Sequence, residues 1–402
     1  MAKAVADSRQ GSPQAPSISR IVEAGVLPAW TRANEAFALG LTDPIGAIRP
    51  GRMTPVATLR AQAQRIDATA ETALCGLGGA TAPRAALLLA RTLQQFLAAD
   101  GEAGFPRAVD IDGVVADPVR DFDSHAWLLR AVAKVYALTG APETLLVADL
   151  ILDFLDSSLA HGVAGYRADG SGGRLLGQRG HLRLLEGVLI LHRFSRRRAD
   201  FARAEGLVEL FRYHFLDRSA GAVSEYFDMD WRAVHPGEPS FRPRTSAQWI
   251  VALGGFRAQG GDAGLAAEIA MLRRGLGAAL DEGGFLPEAV DGAGRPLADG
   301  FELATQLAHF SALRTLDGVS DAGGRSLGAL DEKIAATFLD PAVKGCWIEC
   351  IDARGASRGA PPRVSTLSSL VELAGLRQAN AAAGDGRLLA FPAGERRAAY
   401  AA

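Results

Sequence analysis

Two periods alternate along this chain. Long stretches carry apolar residues at every third or fourth position, the spacing of amphipathic helices, and they come in pairs. HAWLLRAVAKVYALTG followed by APETLLVADLILDFLDSSL is one such pair; its second member is expected to bury a stripe of Leu146, Leu150, Phe154 and Leu155. After each pair comes a Gly-rich segment with a short alternating stretch and a closing Asp or Gly: GFPRAVDIDG (104–113), GYRADGSG (165–172), GAVSEYFDMDW (221–231), GGFLPEAVDGAG (283–294) and GCWIECIDARG (345–355). Each of these predicts a small β-hairpin with an Asp/Gly turn.

The repeat sets the architecture. First helices are expected to begin near residues 57, 125, 181, 247, 302 and 365, and second helices near 83, 142, 200, 262 and 323. A further helix from about Ser19 to Phe37, interrupted at Pro28, brings the number to twelve. Six inner and six outer helices make an all-α (α/α)6 barrel with hairpins at one end, closed where the chain ends meet. An open helical solenoid binding protein on a concave face is the rival, and the count of twelve favours closure. Residues 1–18 are expected to be a disordered start, 19–385 a single barrel domain and 386–402 a tail. The cleft at the helix N-termini and hairpins is the expected site.

Charge narrows the partners. The 43 basic and 45 acidic side chains nearly balance, for a formal net charge of -2, so no single-signed surface for nucleic acid or an anionic membrane is expected. The segment 1–18 lacks the apolar stretch of a secretion signal, and no run reaches the roughly 18 apolar residues of a membrane span. Three cysteines, Cys75, Cys346 and Cys350, are too few and odd in number for a disulfide framework. A soluble cytoplasmic protein follows as the expectation, with Cys346, Ile348 and Cys350 buried on one strand face in preference to binding metal.

The stretch GQRGHLRLLEGVLILHRFSRRRADFARAEGLVELFRYHFLD (177–217), then SEYFDMDWRAV (224–234) and TSAQWIVAL (245–253), resembles the N-acylglucosamine 2-epimerase family in order and interval. RDFDSHAWLLRAVAKVY (120–136) is a weaker echo. The resemblance spans about residues 20–380 and implies an (α/α)6 barrel, a carbohydrate substrate, no cofactor and proton transfer at the carbon beside the carbonyl of an opened sugar. Dimers are common in the family, so a homodimer is compatible with it. In the family two imidazoles on different inner helices exchange the proton, a task that suits a pKa of about 6.5, and an Arg stabilises the enediolate oxygen.

This chain departs from that pattern where the chemistry sits. The resemblance aligns Thr245 and Ser365 with the two catalytic His, Gln64 with a sugar-binding Arg, and Gln248 with a Glu; Trp249 and Gln306 match. In the N-x-x-x-H-x-x-E helix Glu186 is kept, while Arg179 and Arg183 replace Asn and His. Hydroxyls cannot be bases at neutral pH unaided, so the usual His pair is replaced. Arg179, Arg183 and Glu186 lie at i, i+4, i+7, within about 40 degrees on a helix, and Arg242 and Arg244 precede the next inner helix. Guanidinium groups suit bidentate capture of phosphate or carboxylate, which predicts a phosphorylated or acidic sugar; a plain Arg/Glu ion-pair network is the bland alternative. His181 and His125, with Glu186, are the candidates for acid/base work, although each His taken alone reads more readily as a packed or hydrogen-bonded residue, as does His309. Arg120, Asp123, Glu225 and Tyr226 complete the expected substrate contacts. Two functions stay open: a cofactor-free epimerase or isomerase with a rearranged base, and a catalytically degenerate carbohydrate- or protein-binding module. Glycoside hydrolysis or lyase chemistry is a distant third.

Overall fold

The computed structural model describes residues 18–27, 56–77, 81–97, 101–110, 112–170, 173, 175–235, 237, 240–317, 324–339, 347–359 and 363–383. In chain order the helices are α1 (Ile18–Ile21, running on as a wider π turn over Val22–Val26), α2 (Leu59–Leu74), α3 (Thr81–Leu97), α4 (Phe122–Thr139), α5 (Pro142–Phe154), α6 (Gln178–Ser195), α7 (Arg198–Leu210), α8 (Pro243–Ala258), α9 (Ala266–Ala278), α10 (Leu303–Asp317), α11 (Gly324–Phe338) and α12 (Val364–Ala383). Even-numbered helices pack side by side as an inner ring, and odd-numbered ones lie outside them. Pro at the start of α5 and of α8 suits the first helical turn, where no intrahelical N–H is needed.

The ring closes. Helix α12 packs on α2, and α1 fills the outer place against α11 and α12. Ile18 N donates to Asp331 Oδ1 (3.3 Å), tying the first described helix to the last outer one. These contacts, between segments about three hundred residues apart in sequence, exclude the open solenoid. Helix starts fall within a few residues of those the apolar period predicts.

The short strands are β1 (Val56–Thr58), β2 (Ala108–Asp110), β3 (Val115–Asp117), β4 (Leu176–Gly177), β5 (Leu216–Asp217), β6 (Ala222–Val223), β7 (Tyr226–Phe227), β8 (Ser240–Phe241), β9 (Val290–Asp291), β10 (Gly300–Glu302) and β11 (Cys350–Asp352). Self-contained hairpins were the expectation, and the pairing corrects it. β1 pairs antiparallel with β2, β4 with β7, β8 with β9 and β10 with β11; a single bridge joins Asp121 to Asp169. Among the described residues, the segment entering an inner helix is thus hydrogen-bonded to the segment leaving its outer partner in five of the six helix pairs, which clips those pairs at the base. The expected local hairpin after α3 is present, β2 pairing antiparallel with β3 around the turn at Asp110, while others survive as single bridges, such as Phe227 to Ala233 and Ile351 to Ser357. Their turns are built by an aspartate whose Oδ1 accepts two backbone N–H groups: Asp110, Asp228, Asp291 and Asp352 repeat this bond pattern, the Asx turn that places Asp there.

The apolar stripe of α5 also differs. Leu146 and Leu150 are 64% and 54% exposed, while Ala148, Ile151, Leu152 and Leu155 are buried. The rotation turns the β-branched Ile151 inward and leaves the two leucines on the outer surface. Cys350 is half-buried on β11; Cys346 lies outside the described residues. Among the described residues no helix is long and apolar enough to cross a membrane.

Candidate functional site

Residues two, six, nine and thirteen places into an inner helix share one stripe, because 3.6 residues complete a turn. In the ring these stripes face one another as layers. At the mouth, Arg60 of α2 bridges Asp123 of α4 (3.0 Å). One turn deeper, the Arg183 guanidinium of α6 lies 4.7 Å from the Trp127 ring centre of α4, a cation–π stack. In the third layer Arg130 bridges Asp67 (2.8 Å) and Glu186 (3.0 Å). In the fourth, Lys134 reaches Glu71 (2.7 Å) and also Asp67 (2.9 Å). On the far side the layers carry Gln248, Ser369, Val251, Ser311 and Glu372, all part-exposed; since they face the opposite helices, that surface opens on a central hollow.

The floor is a buried ionic network. Asp67 is fully buried; burial would raise its carboxyl, but Arg130 and Lys134 outweigh that and hold it below its usual value. Ser368 adds a hydrogen bond to Asp67 Oδ2 (2.6 Å). Arg183 Nη1 donates to both oxygens of Glu186 (2.9 and 2.7 Å). Buried charges persist only when paired in this way.

Both candidate histidines serve the backbone. His181 is fully buried; its Nε2 accepts from Tyr166 N (2.9 Å) and its Nδ1 donates to Gly177 O (2.9 Å). His125 repeats this: Nε2 accepts from Phe105 N (3.0 Å) and Nδ1 donates to Asp121 O (2.7 Å). Desolvation depresses the two rings to about 3 and about 4 respectively. Gln306 does the same on α10: Oε1 accepts from Leu286 N (2.9 Å), and Nε2 donates to Leu286 O and Glu302 O. All three are the fourth residue of an inner helix, and each pins the preceding Gly-rich loop to its own helix start. Neither imidazole has a nitrogen left for a substrate, so the acid/base role expected of His125 and His181 is withdrawn, as is substrate contact by Gln306. His309, also on α10, is buried with Nδ1 unpartnered among the described residues, and burial lowers it to about 4.

The expected substrate residues divide. Asp123, Arg179, Glu225 and Tyr226 meet, with Arg60, in a recess of about 410 Å³ at the mouth. Glu225 accepts from Gln178 Nε2 (3.2 Å) and from the Thr245 hydroxyl, so the hydroxyl at the first aligned His position is spent on holding a carboxylate. Arg179 is exposed and forms no ion pair among the described residues; Arg183 is buried deeper on the same stripe. Gln64, Gln248 and Ser365 are part-exposed on the layers. Arg120 instead bonds Pro118 O and lies 3.5 Å from Glu102, lining a separate surface recess. Trp249 is fully buried, its indole N–H donating to Gln178 Oε1 (2.9 Å). Neither reaches the mouth recess: Arg120 lines the separate one and Trp249 is packed into the wall.

Arg244 stands across the mouth. Its nearest carboxylate is Glu302 at 4.0 Å, which Arg363 also approaches at 3.3 Å. Burial first, and then the neighbouring Arg183, lower the Arg244 guanidinium to about 10 against the opposing pull of Glu302 and Glu349. Beside it, burial pushes Glu349 upward while Trp347, Thr366 and the Arg363 backbone hydrogen-bond it. Sequence reasoning missed Asp67, Glu71, Arg130, Lys134 and Glu372. Their signal was present: Arg130 and Lys134 stand four apart in the mainly apolar part of α4, and Asp67 and Glu71 stand four apart one inner helix earlier, on α2.

A family model described as N-acylglucosamine 2-epimerase (GlcNAc 2-epimerase) matches residues 76–272. The chain is related to the N-acylglucosamine 2-epimerase family. Solved structures agree on the fold: a cellobiose 2-epimerase from Bacillus thermoamylovorans B4167 superposes with a TM-score of 0.74 at 14% identity, covering 89% of this chain and 97% of that one. A D-mannose isomerase gives 0.71 at 15%, covering 90% and 99%. An α-1,6-mannanase from Salegentibacter sp. HEL1_6 gives 0.59 at 14%, covering 89% and 98%. No curated protein matches the chain in sequence.

Proposed function

We propose that this chain binds an acidic open-chain sugar, a phosphosugar or a uronate, in the barrel hollow and moves a proton at the carbon next to its carbonyl. Kinship with sugar epimerases supports the carbohydrate class and the reaction type. The acidic substrate rests on one observation: Arg244 stands near two further cations, Arg183 and Arg363, while its nearest carboxylate, Glu302, is 4.0 Å away and is shared with Arg363, and Glu349 adds a more distant opposing charge. An anion there would receive charge-assisted hydrogen bonds in a partly desolvated site. Arg179, exposed at the mouth, adds a further cation; Asp123, Glu225, Tyr226 and Gln248 supply polar contacts for the hydroxyls. The test is calorimetric titration with neutral hexoses, hexose 6-phosphates and hexuronates, paired with NMR detection of C2–H exchange in deuterium oxide. Tighter binding of an acidic sugar together with exchange supports the proposal; equal or tighter binding of neutral sugars contradicts it.

A second reading keeps the binding and drops the chemistry. It is favoured by the two backbone-bound imidazoles, and binding without exchange is its signature.

A further inference from the structure

Losing both histidines as bases leaves a question of which group could hold the proton. We propose that Glu372, on the third layer of α12, is the proton carrier at the base of the hollow and that the reaction it supports is aldose–ketose isomerisation. This rests on the sugar-binding proposal above and adds the residue and the outcome of the chemistry.

Three structural facts carry it. Glu372 occupies the same layer as Asp67, Arg130 and Glu186, but while those three are locked in ion pairs, its carboxyl has no hydrogen bond or ion pair among the described residues. It is part-exposed, and its place nine residues into α12 puts it on the stripe shared with the other inner helices. The charged and titratable groups that act on it are Glu71 and Cys75 at the end of α2, Arg130 and Lys134 of α4 and Glu186 of α6, with Asp67 in the same ionic network. Burial and then Glu71 push its carboxyl up to about 7, which suits a group that must both take and return a proton near neutrality.

One carrier reaches one face of the sugar. Glu372 removes the proton from C2; the C–H electron pair forms the C1=C2 bond and the carbonyl pair moves to O1, giving an enediolate. Arg183, one layer above, faces the developing charge. Glu372 then returns the proton to C1 while the C2–O2 bond becomes the carbonyl and the O2 proton passes to O1. Nothing is added or lost, and the product is the ketose. Epimerisation at C2 would need a second donor on the opposite face.

The test compares wild type, Glu372→Gln and Glu372→Asp with a hexose 6-phosphate and a hexuronate, following affinity by calorimetry and products by NMR in deuterium oxide. Expected are a ketose as first product, exchange that rises with pH around 7, and in Glu372→Gln at least a hundredfold loss of exchange with affinity within about threefold. Glu372→Asp keeps the acid on a shorter arm and is expected to retain a few per cent of the rate, so a poorly folding Gln variant still leaves a reading. Undiminished exchange in both variants, or a C2 epimer formed ahead of the ketose, overturns the assignment of Glu372. Wild-type binding with no exchange overturns it too, leaving the sugar site standing. No binding of any acidic sugar removes the sugar proposal and this one with it.

Discussion

Ser368 Oγ donates to Asp67 Oδ2 at 2.6 Å across 301 residues of chain, so the last inner helix is latched to the first through the most buried carboxylate of the floor. Helix packing alone could close such a ring with apolar side chains; here the closing contact is also a member of the ionic network. Ser368→Ala removes a hydrogen bond to a buried charge and is expected to cost about 1.5–3 kcal/mol. Asp67→Ala strands Arg130 and Lys134 and is expected to cost about 3–5 kcal/mol. Urea unfolding followed by circular dichroism measures both; equal effects, or none, would remove the floor from the stability account.

His181, His125 and Gln306 do one job with two side-chain types, and this predicts which replacement is tolerated. His181→Gln keeps an acceptor for Tyr166 N and a donor for Gly177 O, and should cost far less stability than His181→Leu, which leaves both backbone groups unpaired.

The same imidazoles make the fold acid-labile. Their folded pKa values lie at about 3 and about 4, below the unfolded 6.5, so the unfolded chain binds more protons and stability falls as pH drops from 7 toward 4. Each contributes a loss of about 2 kcal/mol at pH 5. His125→Gln/His181→Gln should flatten the Tm-against-pH curve over that range; an unchanged slope would show that the rings are not buried neutral.

Glu372 predicts the opposite slope. Its folded pKa is raised, so its contribution is favourable below pH 4.5 and is lost as pH climbs through about 7. Relative to wild type, Glu372→Gln should gain about 2 kcal/mol between pH 4 and pH 8, discounting for its partial exposure. A constant difference at the two pH values contradicts the buried carboxyl.

Much of the fold was legible because both periods are written in the chain. The apolar repeat located each helix pair, and the aspartates at 110, 228, 291 and 352 marked turns whose bonds are local. Strand partners were not legible: β1 and β2 lie about fifty residues apart, joined only after α2 and α3 have folded back. At the site, the layer stripe could be read for Arg179, Arg183 and Glu186, because spacing fixes it. For His181 the sequence left a packed residue and an acid/base group both open, because what occupies its Nε2 is a backbone N–H at Tyr166 that no residue type announces.

The most direct test of the central proposal, that Arg244 and its neighbouring cations hold an acidic sugar, is the affinity of wild type and Arg244→Gln for a hexose 6-phosphate and its neutral hexose at 50 and 300 mM salt. The account predicts at least tenfold tighter binding of the phosphosugar at low salt, an advantage that shrinks as salt rises and nearly vanishes in Arg244→Gln. A neutral sugar bound as tightly as its phosphate, or a preference that Arg244→Gln leaves intact, would contradict it.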